Sequence, residues 1–308
     1  MITFFTCPKA FEGMFDDIQT NAIRSWMKLP VEKEVILMGN DPGTAETAKK
    51  LGLTHIPDVE TTPKGIPMIG SLFGTAKEHA KYDVLCYVNA DIILDGDFKT
   101  ALEKIYETHK RFIASGQRIN VDFRDRLQFN GDEKRLIDRL PDMFKKGTAI
   151  WGGPDYFLFT KDAFDAIPDY VIGRFFWDNW FFYFAHKNGI PMINLTDSIT
   201  AVHQNHDYTF TVTRKYLWDA LFTNPDSIRN FKFAPYVSVY NTTNFTHRLA
   251  DGKLVPTPTS FVRRVKMFMR FLYIYAIYVA VAKTPKPLSN ILYGILRFLG
   301  TGTVKASQ

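Results

Sequence analysis

The sequence predicts an α/β/α sandwich with a mostly parallel central sheet, followed by basic amphipathic helices at the C-terminus. Short apolar runs recur along the first half of the chain, and stretches with helical periodicity separate them. Strands connected through helices pair in parallel by right-handed crossovers. The last 57 residues differ in charge, because residues 252–308 hold nine Lys or Arg and no Asp or Glu. We therefore expect an α/β domain at residues 1–251 and a basic, aromatic-rich appendage at residues 252–308.

The elements follow this alternation in order. Apolar runs predict strands at residues 2–6, 35–38 and 84–88, and spacings of three and four predict a core-facing helix around residues 15–26. Further helices are predicted at 44–51, up to residue 81, and at 97–109. The second half is less regular. It predicts a charged helical stretch at 126–146, a strand at 156–159, an aromatic-rich helix at 177–187 and short strands near 193 and at 199–202.

Composition and charge exclude several classes of protein. The 308 residues are 46% hydrophobic and 23% charged, which is typical of a folded globular protein. The formal charge of +6 comes from the appendage, because residues 1–252 carry 29 basic and 32 acidic side chains. No nucleic-acid partner is therefore expected. The only cysteines, Cys7 and Cys86, lie in apolar runs, and the N-terminus enters a strand without a leader, so we expect reduced thiols and a cytoplasmic location.

Polar residues follow the first three predicted strands, where ligands of parallel sheets bind. Thr6 ends the first strand, Asn40 and Asp41 follow the second, and Asn89 and Asp91 follow the third. Oxygen ligands of this kind suit Mg2+ or Mn2+. The alternative interpretation is that these side chains only form turns.

The segment from Tyr87 to Leu94, Tyr-Val-Asn-Ala-Asp-Ile-Ile-Leu, resembles the metal-binding DxD region of GT-A-type nucleotide-sugar glycosyltransferases, with Asn89 in place of the first acid. The resemblance covers roughly residues 1–208. It implies a nucleotide-diphospho-sugar donor and a Mn2+ or Mg2+ cofactor bound by Asp91, with Asn89 able to accept through its carbonyl oxygen. A late histidine, His203 or His206, would complete the metal site. It also implies that Thr6, Asn40 and Asp41 contact the nucleoside. Lys77 and Arg118 are candidate partners of the diphosphate, because its charge needs cations or a metal.

Two later segments are candidates for the sugar and the acceptor. Asp155 and Tyr156 follow a Gly-Gly-Pro turn, and Trp177, Asp178 and Asn179 open an aromatic helix. In the resemblance, Asp178 lies where inverting enzymes carry the acid that deprotonates the acceptor hydroxyl. The alternatives are a helix cap for Asp178 and core packing for the aromatic rings.

The appendage predicts membrane contact. Arg263, Lys266 and Arg270 recur at helical spacing, and the uncharged run at 271–282 is too short to span a bilayer. A second apolar stretch follows at 288–299. An interfacial helix on anionic lipid fits this pattern, which would place the protein peripherally on the cytoplasmic face of a membrane. A tilted span, packing on the body, or a homo-oligomer are the alternatives.

The sequence thus predicts an inverting, metal-dependent glycosyltransferase that acts on a glycan or lipid-linked hydroxyl acceptor. One alternative is a non-catalytic protein of the same fold that binds glycans or membranes. The other is a sugar-phosphate nucleotidyltransferase, in which a Gly-rich loop with Arg and a later Lys follows the first strand. Residues 6–12 here read Thr-Cys-Pro-Lys-Ala-Phe-Glu and do not resemble that loop.

Overall fold

A computed structural model of the chain describes residues 1–206, 224–233, 237, 239–258, 261–279 and 291. Nine strands form a central sheet in the order β13-β12-β10-β6-β9-β4-β1-β2-β3, and four form a smaller sheet in the order β5-β11-β7-β8. In the central sheet β1 pairs in parallel with β2 and β4, whereas β9 runs antiparallel between β4 and β6. The predicted α/β class with a mostly parallel sheet is confirmed.

The strands have the following bounds: β1 Ile2–Thr6, β2 Lys33–Met38, β3 Thr54–Ile56, β4 Val84–Val88, β5 Ile92–Gly96, β6 Ile113–Ser115, β7 Arg118–Val121, β8 Ala149–Trp151, β9 Tyr156–Thr160, β10 Met192–Asn194, β11 Ile199–Gln204, β12 His247–Ala250 and β13 Lys253–Pro256. The helices among the described residues are α1 Met14–Lys28, α2 Thr44–Leu51, α3 Ile69–His79, α4 Phe98–Tyr106, α5 Asp132–Lys145, α6 Trp177–Asn188, α7 Pro225–Phe233 and α8 Phe261–Tyr278.

Alternate residues of the central strands build two cores, one on each face of the sheet. Phe5 of β1 packs with α3 and α6, which contribute Phe73 and Phe181. Phe4, its neighbour, points to the other face and packs with Trp26 of α1 and Phe98 of α4. Because successive side chains of a strand point to opposite faces, a wholly apolar β1 requires helices on both. This is the predicted sandwich.

Helix ends follow from local sequence. Gly52 and Gly189 adopt left-handed backbone conformations directly after α2 and α6, with φ of 68° and 64°. Such a residue closes a helix at little cost only when it lacks a Cβ. The predicted strands and helices of the first half are present within a few residues, and the predicted α2 and β4 coincide with the observed bounds.

The central sheet extends past the predicted domain boundary. β12 and β13 form an antiparallel hairpin whose turn is Asp251–Gly252, so the boundary between residues 251 and 252 falls inside paired structure. β13 lies at the edge of the central sheet. Beyond it, α8 begins at Phe261, as the basic helical pattern predicted, while the second apolar stretch at 288–299 falls outside the described residues except for Ile291. No helix in the described ranges has the length and apolar character needed to cross a bilayer.

Candidate active site

The candidate site lies where β4 ends and β5 begins. β1, β2 and β4 are parallel, so Thr6, Met38 and Val88 end at one edge of the central sheet. β9 runs the opposite way and begins at this same edge, with Val88 paired to Tyr156. A tight turn holds the segment after β4, because the amide of Asn89 donates to the carbonyl of Asp155 at 3.0 Å. This turn presents Asp91.

The two sheets together bring three metal-binding groups into contact. β11 pairs with β5 so that His203 lies opposite Ile92, one residue after Asp91. The Nε2 atoms of His203 and His206 lie 3.4 and 3.0 Å from Oδ2 of Asp91. All three ligand atoms lie within 4.8 Å of one another. Metal–ligand bonds of about 2.0–2.2 Å place neighbouring ligand atoms about 3.0–3.4 Å apart, so two of these separations already suit a shared ion.

The carboxylate of Asp91 is ionised, and one of its two oxygens lacks a hydrogen-bond partner among the described residues. Its side chain is 19% exposed, and Oδ1 is buried without a hydrogen-bond partner among the described residues. Burial raises the pKa of Asp91, but hydrogen bonds and charge from His203 and His206 outweigh it and hold the pKa well below its usual range. A buried, unpartnered carboxylate oxygen costs free energy unless a cation or donor satisfies it. This donor set therefore fits a divalent cation.

A second layer of contacts orients His203. Its Nδ1 lies 3.1 Å from Oδ1 of Asn205, and the amide Nδ2 of Asn205 donates to Oδ1 of Asp122 at 2.8 Å. Since the amide oxygen can only accept, Nδ1 carries a proton. Outer partners commonly orient metal-binding histidines in this way, and Nε2 is the ring atom that faces Asp91.

Buried amides tie helix α1 to this site. The Gln204 side chain donates from Nε2 to the carbonyls of Ile18 and Asp91, at 2.8 and 3.1 Å. Asn21, fully buried on α1, donates to Oε1 of Gln204 at 2.9 Å and accepts from the amide of Leu127 at 2.8 Å. The turn that carries Asp91 is thus fixed from the helix side as well as from β11.

Asp155 and Arg118 form a buried ion pair beside the three ligands. Arg118 donates from Nη1 to Oδ2 of Asp155 and from Nε to Oδ1 of Asn120 at 2.8 Å. Burial raises the pKa of Asp155, while the Arg118 guanidinium opposes that shift. Gly152 makes room for this pair, because a Cβ there would lie 2.8 Å from Arg118 Nε. Asp155 and Arg118 were predicted for different ligands, but the structure brings them together.

Asp178 lies in the first turn of α6, in the same electrostatic environment. Burial raises the pKa of Asp178 from 3.8 to about 6, with Asp155 adding to the rise and the Asn179 amide and Arg118 opposing it. A helix N-terminus normally stabilises a carboxylate, so burial is the stronger effect here. A carboxyl with this pKa is a base above pH 6 and can still hold a proton, which is the property that general-base catalysis needs.

The ends of β1 and β2 form a second, shallower part of the edge. Thr6 is buried, and its Oγ1 has no hydrogen-bond partner among the described residues. Asn40 and Asp41 are exposed. Cys7 lies between these segments: burial, with a smaller contribution from Asp41, raises its pKa to about 12, and a Cβ on Gly39 would lie 2.9 Å from its sulphur. Both cysteines are free thiols.

Five predicted site residues have other surroundings. The Asn89 carbonyl oxygen accepts from the Tyr87 hydroxyl at 2.8 Å. Tyr156 and Trp177 are buried in the two cores, and Trp177 packs edge-on against Tyr87 with ring centroids 5.4 Å apart. Asn179 donates to the Tyr240 carbonyl. Lys77 donates to the carbonyls of Phe164 and Asp165, so its described contacts lie away from the three ligands.

Four residues that hold the site were not predicted from the sequence: Asn21, Gln204 and Asn205, which support the ligands, and Asn120, which accepts from Arg118. Gln204 and Asn205 lie between the two histidines, which is a signal that could have been used. Asn21 interrupts the apolar face of α1 with a polar side chain that is 0% exposed. Their partners lie up to 186 residues away in sequence, so spacing alone could not reveal them.

No family model matches the chain, and no curated protein matches it. Solved structures do. S. aureus TarS 1–349 in complex with UDP-GlcNAc is 14% identical, covers 98% of this chain and 88% of that one, and has a TM-score of 0.45. A candidate nucleotide-diphospho-sugar transferase from Desulfovibrio desulfuricans is 12% identical, with coverage of 75% and 95% and a TM-score of 0.40. Glucosyl-3-phosphoglycerate synthase from Mycobacterium tuberculosis with Mn2+ and UDP-glucose is 12% identical, with coverage of 67% and 72% and a TM-score of 0.38.

Nucleotide-sugar transferases are thus among the solved structures that are similar to this chain. At 12–14% identity and TM-scores of 0.38–0.45, these three similarities carry no functional argument. The function proposed below rests on the residues of the site.

Proposed function

We propose that this chain is a glycosyltransferase that moves a sugar from a nucleotide-diphosphate donor to a hydroxyl acceptor. The observation that carries the proposal is the cluster of Asp91, His203 and His206 at the carboxyl edge of the sheet, with Asp178 nearby in the environment of Asp155 and Arg118. The resemblance of residues 87–94 supports a nucleotide-diphospho-sugar as the donor. We propose inversion at the anomeric carbon, because one carboxyl group is available as a base.

Asp91, His203 and His206 would hold a divalent cation, which supplies positive charge to a leaving diphosphate. Two imidazole nitrogens favour Mn2+ over Mg2+, because Mg2+ prefers oxygen ligands in proteins. Asn205 holds the ring of His203 through Nδ1, so that Nε2 would face the cation, and Gln204 holds the backbone of Asp91. The protein's own contribution at this point is to hold three ligand atoms in place before the ion arrives.

Asp178 would accept the proton of the acceptor hydroxyl as the new glycosidic bond forms and the bond to the diphosphate breaks. Its raised pKa brings it closer to the pKa of an ideal base near neutral pH. Arg118 and Asp155 set the charge around it. Thr6, Asn40 and Asp41 would contact the nucleoside from the ends of β1 and β2, where side chains reach the same edge of the sheet. Acceptor contacts by Tyr156, Trp177 and Asn179 would need these side chains to leave their present packing, so we assign the acceptor side to Asp178 and Asp155.

The proposal is tested with a thermal-shift panel of nucleoside diphosphates and nucleotide-sugars, each with Mn2+, Mg2+, Zn2+ or a chelator. A ligand at a hundred times its dissociation constant stabilises the fold by about 2.7 kcal/mol, which is readily detected. We expect one nucleotide to raise the melting temperature in a way that requires Mn2+. This thermal shift should be absent in Asp91→Asn. Asp95→Asn is the matched control, because Asp95 is an exposed acid of β5 in the same segment.

Turnover is then measured as nucleoside diphosphate released from the donor that gives the shift, with and without sugar acceptors. Release that needs both Asp91 and Asp178 would support a transferase. A folded protein that binds the donor but releases nothing with any acceptor would favour the non-catalytic alternative. A protein that binds none of the nucleotides would contradict the proposal.

A further inference from the structure

Helix α8 presents an apolar stripe to solvent. Val265, Phe268, Leu272, Tyr275 and Val279 follow one another at spacings of three and four and lie on one side of the helix. All are exposed: Phe268 to 60%, Tyr275 to 53% and Leu272 to 46%. Met269, also 60% exposed, widens the same face. A helix normally buries such a stripe.

The body of the protein covers a different side of α8. Met267 is half-buried, and its sulphur lies 3.2 Å from the amide nitrogen of Asn244. A groove of about 310 Å³ runs between the helix and the body, lined by Val239, Tyr240, Met267, Phe268 and Phe271. The Tyr240 carbonyl accepts from Asn179, the residue after Asp178. The stripe is thus exposed on a helix that is anchored near the start of α6, and Phe268 belongs both to the stripe and to the rim of the groove.

The length of the stripe suits a helix lying flat on a surface. Residues 265–279 rise about 1.5 Å each, which gives an apolar strip of about 21 Å. That is shorter than the roughly 30 Å of a bilayer core, and no described helix meets the requirements of a membrane span. An interfacial helix instead buries one face to the depth of the lipid headgroups.

Charge selects the partner. Arg264 is exposed beside the stripe, Lys266 is exposed on the flank of the helix away from it, Arg263 and Arg270 lie in the same helix, and the segment 252–308 holds no acidic residue. A second copy of α8 would bring two basic helices together without opposing acids, which costs free energy. An anionic surface gains free energy from the same residues. We propose that the exposed stripe of α8 binds the surface of an anionic lipid bilayer, which holds the candidate active site next to the membrane.

Vesicle co-sedimentation of the full chain tests this inference. Vesicles of phosphatidylcholine with about one third phosphatidylglycerol should bind the protein at least about tenfold more strongly than phosphatidylcholine alone, because each Lys or Arg near such a surface adds about fivefold. Binding should weaken in about 1 M salt, where the Debye length falls to about 3 Å. The double variant Phe268→Glu, Leu272→Glu should reduce vesicle binding at least about tenfold, because burial of the apolar side chains supplies the part of the binding free energy that charge does not.

Ile150→Glu is the matched control, because Ile150 is 61% exposed on β8, the edge strand of the smaller sheet, and does not belong to the stripe. It should bind vesicles as the unmodified chain does. The Mn2+ and nucleotide thermal shifts of each variant, taken without vesicles, report on the proposed function separately. Equal binding by the control and the α8 variant would overturn the inference, as would absence of vesicle binding. A concentration-dependent dimer that the α8 variant dissociates, in a chain that ignores vesicles, would assign the stripe to a second copy.

Discussion

Two sets of neighbouring groups have opposite effects on the pKa of Asp178. Burial and Asp155 raise its pKa to about 6, while the first amides of α6 and Arg118 favour the ionised form. Folding therefore favours the protonated acid. The free energy of unfolding that this contributes is fully present below the unfolded pKa of 3.8 and is lost as pH rises through about 6. At pH 8 the ionised group therefore destabilises the fold.

Asp178→Asn should therefore separate activity from stability. We expect the rate of transfer to fall by about 10² to 10⁴, because the amide cannot accept the acceptor's proton. At pH 8 the variant should be more stable than the unmodified chain by about 1–3 kcal/mol, since the buried charge is gone. In the unmodified chain the rate should fall as pH drops below about 6. Steady-state rates between pH 5 and 9 and urea unfolding at pH 8 measure both effects.

The control for Asp178→Asn is Glu46→Gln, which removes an exposed acid from the first turn of α2. It should change neither quantity by a measurable amount. A variant at Asp178 that is less stable at pH 8 and keeps its pH profile would show that the carboxylate is a helix cap and not a base.

For single residues, the sequence predicted which side chains could bind a metal but not which side chains would contact them. Asp91 was predicted as a ligand because it follows an apolar strand and because residues 87–94 resemble a DxD region, and the same resemblance predicted His203 or His206. The pairing of Arg118 with Asp155 could not be predicted, since 37 residues separate them and a Gly152 that admits the side chain has no visible pattern. The burial that shifts Asp178 also depends on elements from several parts of the chain.

Among the elements, α1 and β11 are connected by more than apolar packing. Asn21 makes three hydrogen bonds that link the helix to Gln204, to the carbonyl of Asp125 and to the amide of Leu127. Gln204 in turn donates a hydrogen bond to the backbone carbonyl of Asp91, so the position of α1 also restrains Asp91. The helix was predicted from its apolar spacing, but the smaller sheet of β5, β11, β7 and β8 was predicted only in part. Its strands are short and pair across distant segments, and pairing of that kind leaves no local periodicity.

Asn21→Ala should weaken both the fold and the metal site. It removes three buried hydrogen bonds and leaves their partners unsatisfied, so we expect a loss of about 2–4 kcal/mol in the free energy of unfolding. Because Asp91 then loses part of its support, Mn2+ affinity should fall by about tenfold, at the low end of outer-sphere effects. Urea unfolding and Mn2+ titration calorimetry measure the two quantities. Asn188→Ala, which removes an exposed amide that bonds only within α6, should cost less than about 0.5 kcal/mol and leave Mn2+ binding unchanged.

Over the whole molecule, the change in charge at Gly252 precedes the last strand of the central sheet. The shift in charge begins at Gly252, whereas the shift in structure follows β13. Charge indicates what surface a segment presents to solvent, and it does not indicate whether the segment is paired in a sheet. A polar edge strand that contains Pro and Thr therefore resembles a linker in sequence. Hydrogen bonds decide the matter. Thr257 donates its amide to Thr246 at 2.7 Å and its hydroxyl to Phe245 at 2.9 Å, after β13 has paired with β12.

Two truncated chains distinguish the boundaries. A chain ending at residue 258 keeps the full central sheet, and we expect it to retain its nucleotide and Mn2+ thermal shifts while losing vesicle binding. A chain ending at residue 251 loses β13, so Leu254 no longer covers the core face shared with α4 and the hydrogen-bonding edge of β12 is uncovered. We expect it to be less stable by about 2–4 kcal/mol and prone to aggregation, because an unpaired edge strand recruits other chains. Equal melting temperatures for the two chains would show that the body ends at the turn and that β13 contributes nothing to its stability.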